Sequence, residues 1–376
     1  MTMPLPPFAL ERWFVEFEFV HGVVNACESG AFALDVGELL ALEDGLEEGL
    51  RSLDLGYIEN PGMPELRQTI ARRYAGLGAD DVRITTGASE AILLLLWTLV
   101  RDGDAVILPE PFYGSYETLM HARGAELRRL HLRSESDFRI DPEEIRALMA
   151  DGKVRLVVLN PFQNPTGQAP TADEMRRIAS LCEEMGARLL TDDVFRPVTL
   201  SAPVPLAAPE LTATGVSIGD MSKPLGLGGV RVGWVATHDC ELLANLSALR
   251  DYTTMCSGAA DEWLATVALR HEQTLLQPRL ERARRNLERL SALVQAHPAK
   301  LRLVPPIGGY SAFLEFVAGE GASDTRAMAR RLVEQHRLLI MPGGVFGAGF
   351  ERFVRIGLST EEKAFERLMD LLGAQP

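Results

Sequence analysis

Between residues 64 and 240 the apolar positions follow two alternating periods. Short runs that are almost wholly apolar, at 82–86, 105–108, 155–159, 188–191, 215–218 and 232–235, predict strands buried on both faces. Between them, 89–101, 115–122, 142–149 and 172–185 space their apolar residues three and four apart, as amphipathic helices do. Each is long enough to cross over from one parallel strand to the next. The pattern predicts an α/β domain, a mostly parallel sheet covered by helices on both faces. Past residue 259 a long helical stretch at 261–295, rich in Arg and Glu, gives way to strands at 302–304, 311–316 and 338–341 with helices between and after, a smaller α+β lobe. Pro4, Pro6 and Pro7 lead into an amphipathic stretch at 10–19, and we assign the first 45 residues to that lobe. The expected division is a large domain at 46–260 and a small one built from 1–45 and 261–376.

Composition narrows the partners. With 376 residues, 47% hydrophobic and 24% charged, the chain is neither disordered nor fibrous. Lys and Arg number 38 against 52 Asp and Glu, a net charge of −14 that repels polyanions, so no nucleic acid partner is expected. Cys27, Cys182, Cys240 and Cys256 lie far apart, which predicts core thiols in a reducing compartment and neither disulfides nor a metal site. The longest apolar run, 91–100, is half of the roughly 20 residues a membrane span needs. Residues 1–14 lack the basic stretch and apolar block of a secretory leader. The expectation is a cytoplasmic protein with no membrane association.

Lysine is scarce: Lys153, Lys223, Lys300 and Lys363 are the only four among 38 basic residues. Three sit in turns or at helix ends that read as solvated. Lys223 lies in Asp220-Met221-Ser222-Lys223-Pro224-Leu225-Gly226-Leu227-Gly228-Gly229-Val230-Arg231, a glycine-rich loop before a buried strand. A lysine kept where the backbone can approach closely suggests amine chemistry such as a Schiff base.

With this loop the chain resembles the pyridoxal 5'-phosphate enzymes of fold type I, the aminotransferase class I/II family, from about residue 10 to the C-terminus. The resemblance implies a role for each matched residue. Gly87, Ala88 and Ser89 open a helix whose N–H groups face the phosphate; Ser222 and Arg231 are further phosphate ligands, and Tyr57 reaches the phosphate of a neighbouring subunit, which makes the active unit a homodimer. Asp192 pairs with the pyridine nitrogen, Asn164 donates to the ring's O3', and Tyr113 stacks on the ring, with Tyr116 as its nearby rival. Arg355 grips the substrate carboxylate while Arg352 is solvated, and Gly30 supplies a backbone N–H to the same carboxylate. No metal is implied.

The chain departs from the family at Phe195, where aminotransferases usually carry a tyrosine that donates to O3'. A narrower resemblance, in 8–14, 250–254, 278–280 and Phe195, is to capreomycidine synthases and related cyclodehydratases of hydroxyarginines. It makes Glu11, Glu16, Glu18 and Glu28 candidates to meet a guanidinium, Glu11 first among them. The expected function is an aminotransferase in which Lys223, freed from the cofactor by an L-amino acid, removes the α proton; the alternative is elimination or cyclisation of a (hydroxy)arginine-like amino acid. A dinucleotide oxidoreductase is disfavoured because no G-x-G-x-x-G follows a strand.

Overall fold

A computed structural model describes residues 5–374; Pro4 lies outside them. Seven strands form the central sheet in the order β2-β8-β7-β6-β5-β3-β4. They are β2 (Val82–Thr85), β3 (Ala105–Glu110), β4 (Glu126–His131), β5 (Val154–Leu159), β6 (Arg188–Asp192), β7 (Val216–Asp220) and β8 (Gly233–Ala236), numbered after a short β1 (Val24–Asn25) that lies elsewhere. Only β8 runs against the other six. Every residue of β3 is buried, because successive side chains feed opposite faces: Val106 and Leu108 join one core, Ala105 and Ile107 the other. The crossover helices Gly87–Leu99, Ser115–Ala122, Pro142–Leu148 and Ala172–Glu184 fall where the spacing put them, within two residues.

Three expectations are corrected. β4, with the sequence ELRRLH, is an edge strand whose arginines are bound by Glu117, Glu126 and Asp151 rather than buried, so it carries no apolar signal. The stretch at 261–295 is two helices, Ala259–Arg270 and Glu272–Ala296, separated at His271. The run at 338–341 divides between two sheets at Ile340, whose carbonyl accepts from Trp13 Nε1 at 3.0 Å: β11 (Leu338–Leu339) pairs with β1, and β12 (Met341–Pro342) pairs with β13 (Phe353–Gly357). A helix at Cys240–Arg250 also went unforeseen.

The four-stranded antiparallel sheet β12-β13-β10-β9, with β9 at Leu301–Leu303 and β10 at Ser311–Phe316, packs under the helices Glu272–Ala296, Thr325–His336 and Glu362–Gly373. The N-terminal helix Ala9–Phe17 buries Leu10, Trp13, Phe14 and Phe17 in the same core, and Phe14 also reaches the large cavity described below. Among the described residues no helix is long and apolar enough to cross a membrane. Cys27 and Cys182 are buried, but Cys240 is exposed and Cys256 half-buried, so only two of the four are core thiols.

Candidate active site

A cavity of about 770 Å³ opens at the carboxyl ends of the parallel strands, where loops and helix starts converge. At one end lie Ala88 and Ser89, Ser222 and Arg231. The chain leaves β2 and turns into the helix Gly87–Leu99 through Gly87, at φ +72°, and a Cβ there would stand 2.4 Å from Arg231 Nη2. Gly233 is needed for the same approach, since its Cβ would stand 2.4 Å from the Gly87 carbonyl carbon. Arg231 is held by its Nη1, which donates to the Gly228 carbonyl at 3.0 Å. A helix N-terminus and a guanidinium therefore share one concavity shaped for an anion.

Opposite them Asp192, buried at the end of β6, accepts from the Tyr116 hydroxyl at 2.9 Å. Burial, with Asp220 and Asp193 close by, pushes its carboxyl up to about 7. Asn160 donates to the Asp192 carbonyl at 2.6 Å and accepts the Asn164 N–H at 2.9 Å, which fixes the loop after β5. The two tyrosines part company: Tyr116 sits buried beneath Asp192, while Tyr113 lines the cavity and meets Phe8 edge-on, ring centroids 4.9 Å apart. Phe195 also lines the cavity, an apolar ring where a hydroxyl would otherwise stand.

Lys223 lies between these ends on the one-turn helix Ser222–Leu225. Gly226 ends that helix at φ +72°, and a Cβ there would fall 2.0 Å from the Phe32 carbonyl oxygen. Asp220 Oδ1 accepts from the Ser222 and Lys223 N–H groups, at 3.0 and 3.3 Å. Burial raises its carboxyl pKa, although Lys223 opposes the rise. Lys223 Nζ donates to Glu28 Oε1 at 2.9 Å.

Arg355 enters from β13 and is only 1% exposed. Its Nε donates to the Cys27 carbonyl at 2.9 Å and its Nη1 to Asn164 Oδ1 at 3.1 Å, so the guanidinium is aimed into the cavity by the N-terminal segment and the loop after β5 at once. Gly30 does not present a vacant N–H: that group donates to Glu28 Oε1 at 3.0 Å. Arg352 keeps a side chain 43% exposed, away from the cavity, and pairs at 2.6 Å with Glu315, which is itself buried. Glu11 lines the cavity, whereas Glu16 is bound by Arg330 and Glu18 by Asn25. Tyr57, 89% exposed, lies outside the cavity. Asp220 and the pairing of Glu28 with Lys223 escaped sequence reasoning; an acid closing a buried strand three residues before the singular lysine was the available signal for the first.

The family model for aminotransferase class I and II matches residues 33–372. Capreomycidine synthase of Streptomyces vinaceus is 35% identical over 367 residues, covering 96% of this chain and 92% of that protein. Among solved structures, a PLP-dependent aminotransferase from Streptococcus suis superposes with a TM-score of 0.90 at 26% identity, over 99% of this chain and 97% of the other. The PLP-dependent cyclase OrfR does so with a TM-score of 0.88 at 29% identity, over 97% and 96%. The residues present fit pyridoxal 5'-phosphate: the glycine-lined concavity beside Arg231 suits a phosphate, and a buried Asp192 that resists ionisation when alone suits a cationic ring nitrogen. The chain belongs to the class I and II aminotransferase family, enzymes of fold type I that act on amino acids with pyridoxal 5'-phosphate as cofactor.

Proposed function

We propose that the chain is an aminotransferase in which Lys223 removes and returns the α proton of an L-amino acid. The observation that carries this reading is the convergence of Lys223, Asp192, Arg231 and Arg355 on one cavity. When bound, the cofactor supplies an electron-withdrawing ring that acidifies the substrate's α C–H bond. Arg231, Ser222 and the backbone of Gly87, Ala88 and Ser89 hold its phosphate. Asp192 holds the proton on its ring nitrogen, Asn164 donates to the ring oxygen, and Tyr113 covers one ring face. Arg355 takes the substrate carboxylate in a two-pronged pair, and the rigid hold of Cys27 and Asn164 on the guanidinium fixes where the α carbon sits relative to Lys223. The lysine amine accepts the α proton and then delivers it, the general base and acid of the reaction.

Phe195 and the acidic lining favour a second reading, ring-closing elimination on an arginine-like amino acid. The wall at Phe195 gives the ring oxygen one donor fewer, and Glu11, which lines the cavity, exceeds what cofactor and α-carboxylate require, so a cationic side chain would be welcome. The 35% identity to a capreomycidine synthase supports it.

One experiment separates the two. Amino acids, arginine and its hydroxylated forms among them, are added to the yellow enzyme without a keto acid while the visible spectrum is followed. Bleaching that a 2-oxo acid reverses identifies an aminotransferase and its donor; return of the yellow form unaided, with loss of water from the substrate, identifies the cyclising enzyme. Failure of every amino acid to perturb the spectrum overturns both.

We further propose a homodimer that completes each site with the Tyr57 of the other copy, and a cytoplasmic location, which the buried free thiols Cys27 and Cys182 suit. The pairing of β1 with β11 supports counting 1–45 with 261–376 as the smaller unit and 46–260 as the larger.

A further inference from the structure

The segment 26–31 is strapped across the site. At one end the Gly357 N–H of β13 donates to the Ala26 carbonyl at 2.8 Å; at the other the Ala31 N–H donates to the carbonyl of Lys223 itself, also at 2.8 Å. Gly357 is needed for this course, because a Cβ there would stand 2.5 Å from the Glu28 carbonyl oxygen. At Gly30 the strap runs so close over the lysine that a Cβ would lie 3.3 Å from Lys223 Cδ. In the middle stands Glu28. One of its oxygens accepts both the Gly30 N–H at 3.0 Å and Lys223 Nζ at 2.9 Å, so the carboxylate is locked by its own strap and aimed at the reactive amine.

We propose that Glu28 is a positioning residue for Lys223, binding the amine as an ammonium ion before the cofactor attaches and so setting the pH at which the lysine can react with it. This deepens the proposed function and rests on its assignment of Lys223. The other charged and titratable groups facing the pair are few. Asp220 adds negative charge from the end of β7, Glu18 adds a weaker share from the end of the N-terminal helix, and Arg355 on β13 opposes them. The Cys27 thiol, pushed up to about 12 by burial, stays neutral. Burial would depress the lysine, yet the Glu28 carboxylate and Asp220 outweigh it and raise the lysine's pKa. On the other side, burial works to raise Glu28, but Lys223 and Arg355 hold its carboxyl down at about 2.

For the lysine to attack the cofactor's carbonyl carbon, its ammonium must first lose one proton to solvent; the C=N bond then forms and the carbonyl oxygen leaves as water. The rate of attachment to cofactor-free protein therefore reports the fraction of neutral amine. We expect that rate, followed at the visible band with pyridoxal 5'-phosphate over pH 6–10, to climb at lower pH in Glu28→Gln than in the unsubstituted protein. The profile should move down by about one pH unit, which is about tenfold faster attachment at a pH below both midpoints, because an opposite charge at this distance shifts a pKa by about one unit or more. Glu28→Asp should fall back toward the unsubstituted profile. A Glu28→Gln profile that superposes on the unsubstituted one, or that is uniformly slower without moving along the pH axis, overturns the proposal. Lys223→Ala serves as the companion: if it still yields a borohydride-reducible adduct, the assignment of the lysine fails instead, and the two failures are told apart.

Discussion

Asp192 and Asp193 are neighbours in sequence and point to opposite sides of the sheet end. Both are buried, and burial pushes each carboxyl up to about 7. Asp193 accepts from Thr191 at 3.0 Å and from Ser217 at 2.5 Å, while its other oxygen is buried with no partner. A carboxyl whose folded pKa lies above its unfolded value of 3.8 binds a proton that the unfolded chain has released. Its contribution to stability is thus present in acid and declines as pH rises from about 4 to about 7. The cofactor-free protein should lose melting temperature over that window, and Asp193→Asn should flatten the decline; equal slopes by thermal unfolding would remove Asp193 from the account. Asp192→Asn should behave differently. It leaves Lys223 free to attach the cofactor, so a reducible yellow chromophore persists, but α-proton exchange measured in deuterated water should fall by about a hundredfold or more because the ring nitrogen loses its counter-charge. Lys223, Asp192, Asn164, Arg231 and Arg355, which line one cavity, were legible because the roles proposed for them depend on residue type at fixed offsets within one motif each. Glu28 was legible only as a candidate acid, since 195 residues separate it from Lys223 and nothing local records that the strap crosses there.

At the scale of elements, the turn from β2 into the helix Gly87–Leu99 is closely confined. Gly87 adopts φ +72°, which costs an L side chain about 1 kcal/mol, and its missing Cβ is the space the Arg231 guanidinium occupies. Gly87→Ala should therefore fold with a modest loss of melting temperature while cofactor affinity, read by titration of the visible band, drops by tenfold or more. A variant that binds as tightly as the unsubstituted protein would mean Arg231 does not hold the phosphate. The repeat of strand and crossover helix was readable along the chain because full burial on both faces writes continuous apolar runs. β4 was not, because an edge strand is free to spend its positions on Arg128 and Arg129 and their acidic partners. Nor was the division of 338–341, since both halves are equally apolar and only the Trp13 bond to the Ile340 carbonyl separates β11 from β12.

At the scale of the whole molecule, the segments around residues 57 and 252 present a surface that the single chain leaves unexplained. Tyr57 and Tyr252 are each 89% exposed, Leu55 is 79% exposed, and Met255, three residues after Tyr252, is exposed as well. The segments that carry them are tied together and to the phosphate end of the site: Asn60 Nδ2 donates to Asp251 at 2.7 Å, Arg250 Nη1 donates to the Asn60 carbonyl at 2.6 Å, and the Thr254 hydroxyl donates at 2.6 Å to Glu90 in the first turn of the helix Gly87–Leu99. Exposed hydrophobic side chains on segments tied in this way are, for the proposed homodimer, the expected face of a second copy, and a two-fold axis would let each Tyr57 hydroxyl reach across to the opposite phosphate. Two variants divide that statement. Tyr57→Phe removes the hydroxyl and keeps the ring, so the particle mass by light scattering should remain that of a dimer while cofactor affinity falls several-fold. Leu55→Asp combined with Tyr252→Asp places four charges on the two-fold face, so the mass should fall to that of one chain and cofactor affinity should fall with it. A double variant that remains dimeric would mean that the copies meet elsewhere. A monomer that binds cofactor as tightly as the dimer would show that each chain completes its own phosphate site, and Tyr57 would then need another purpose.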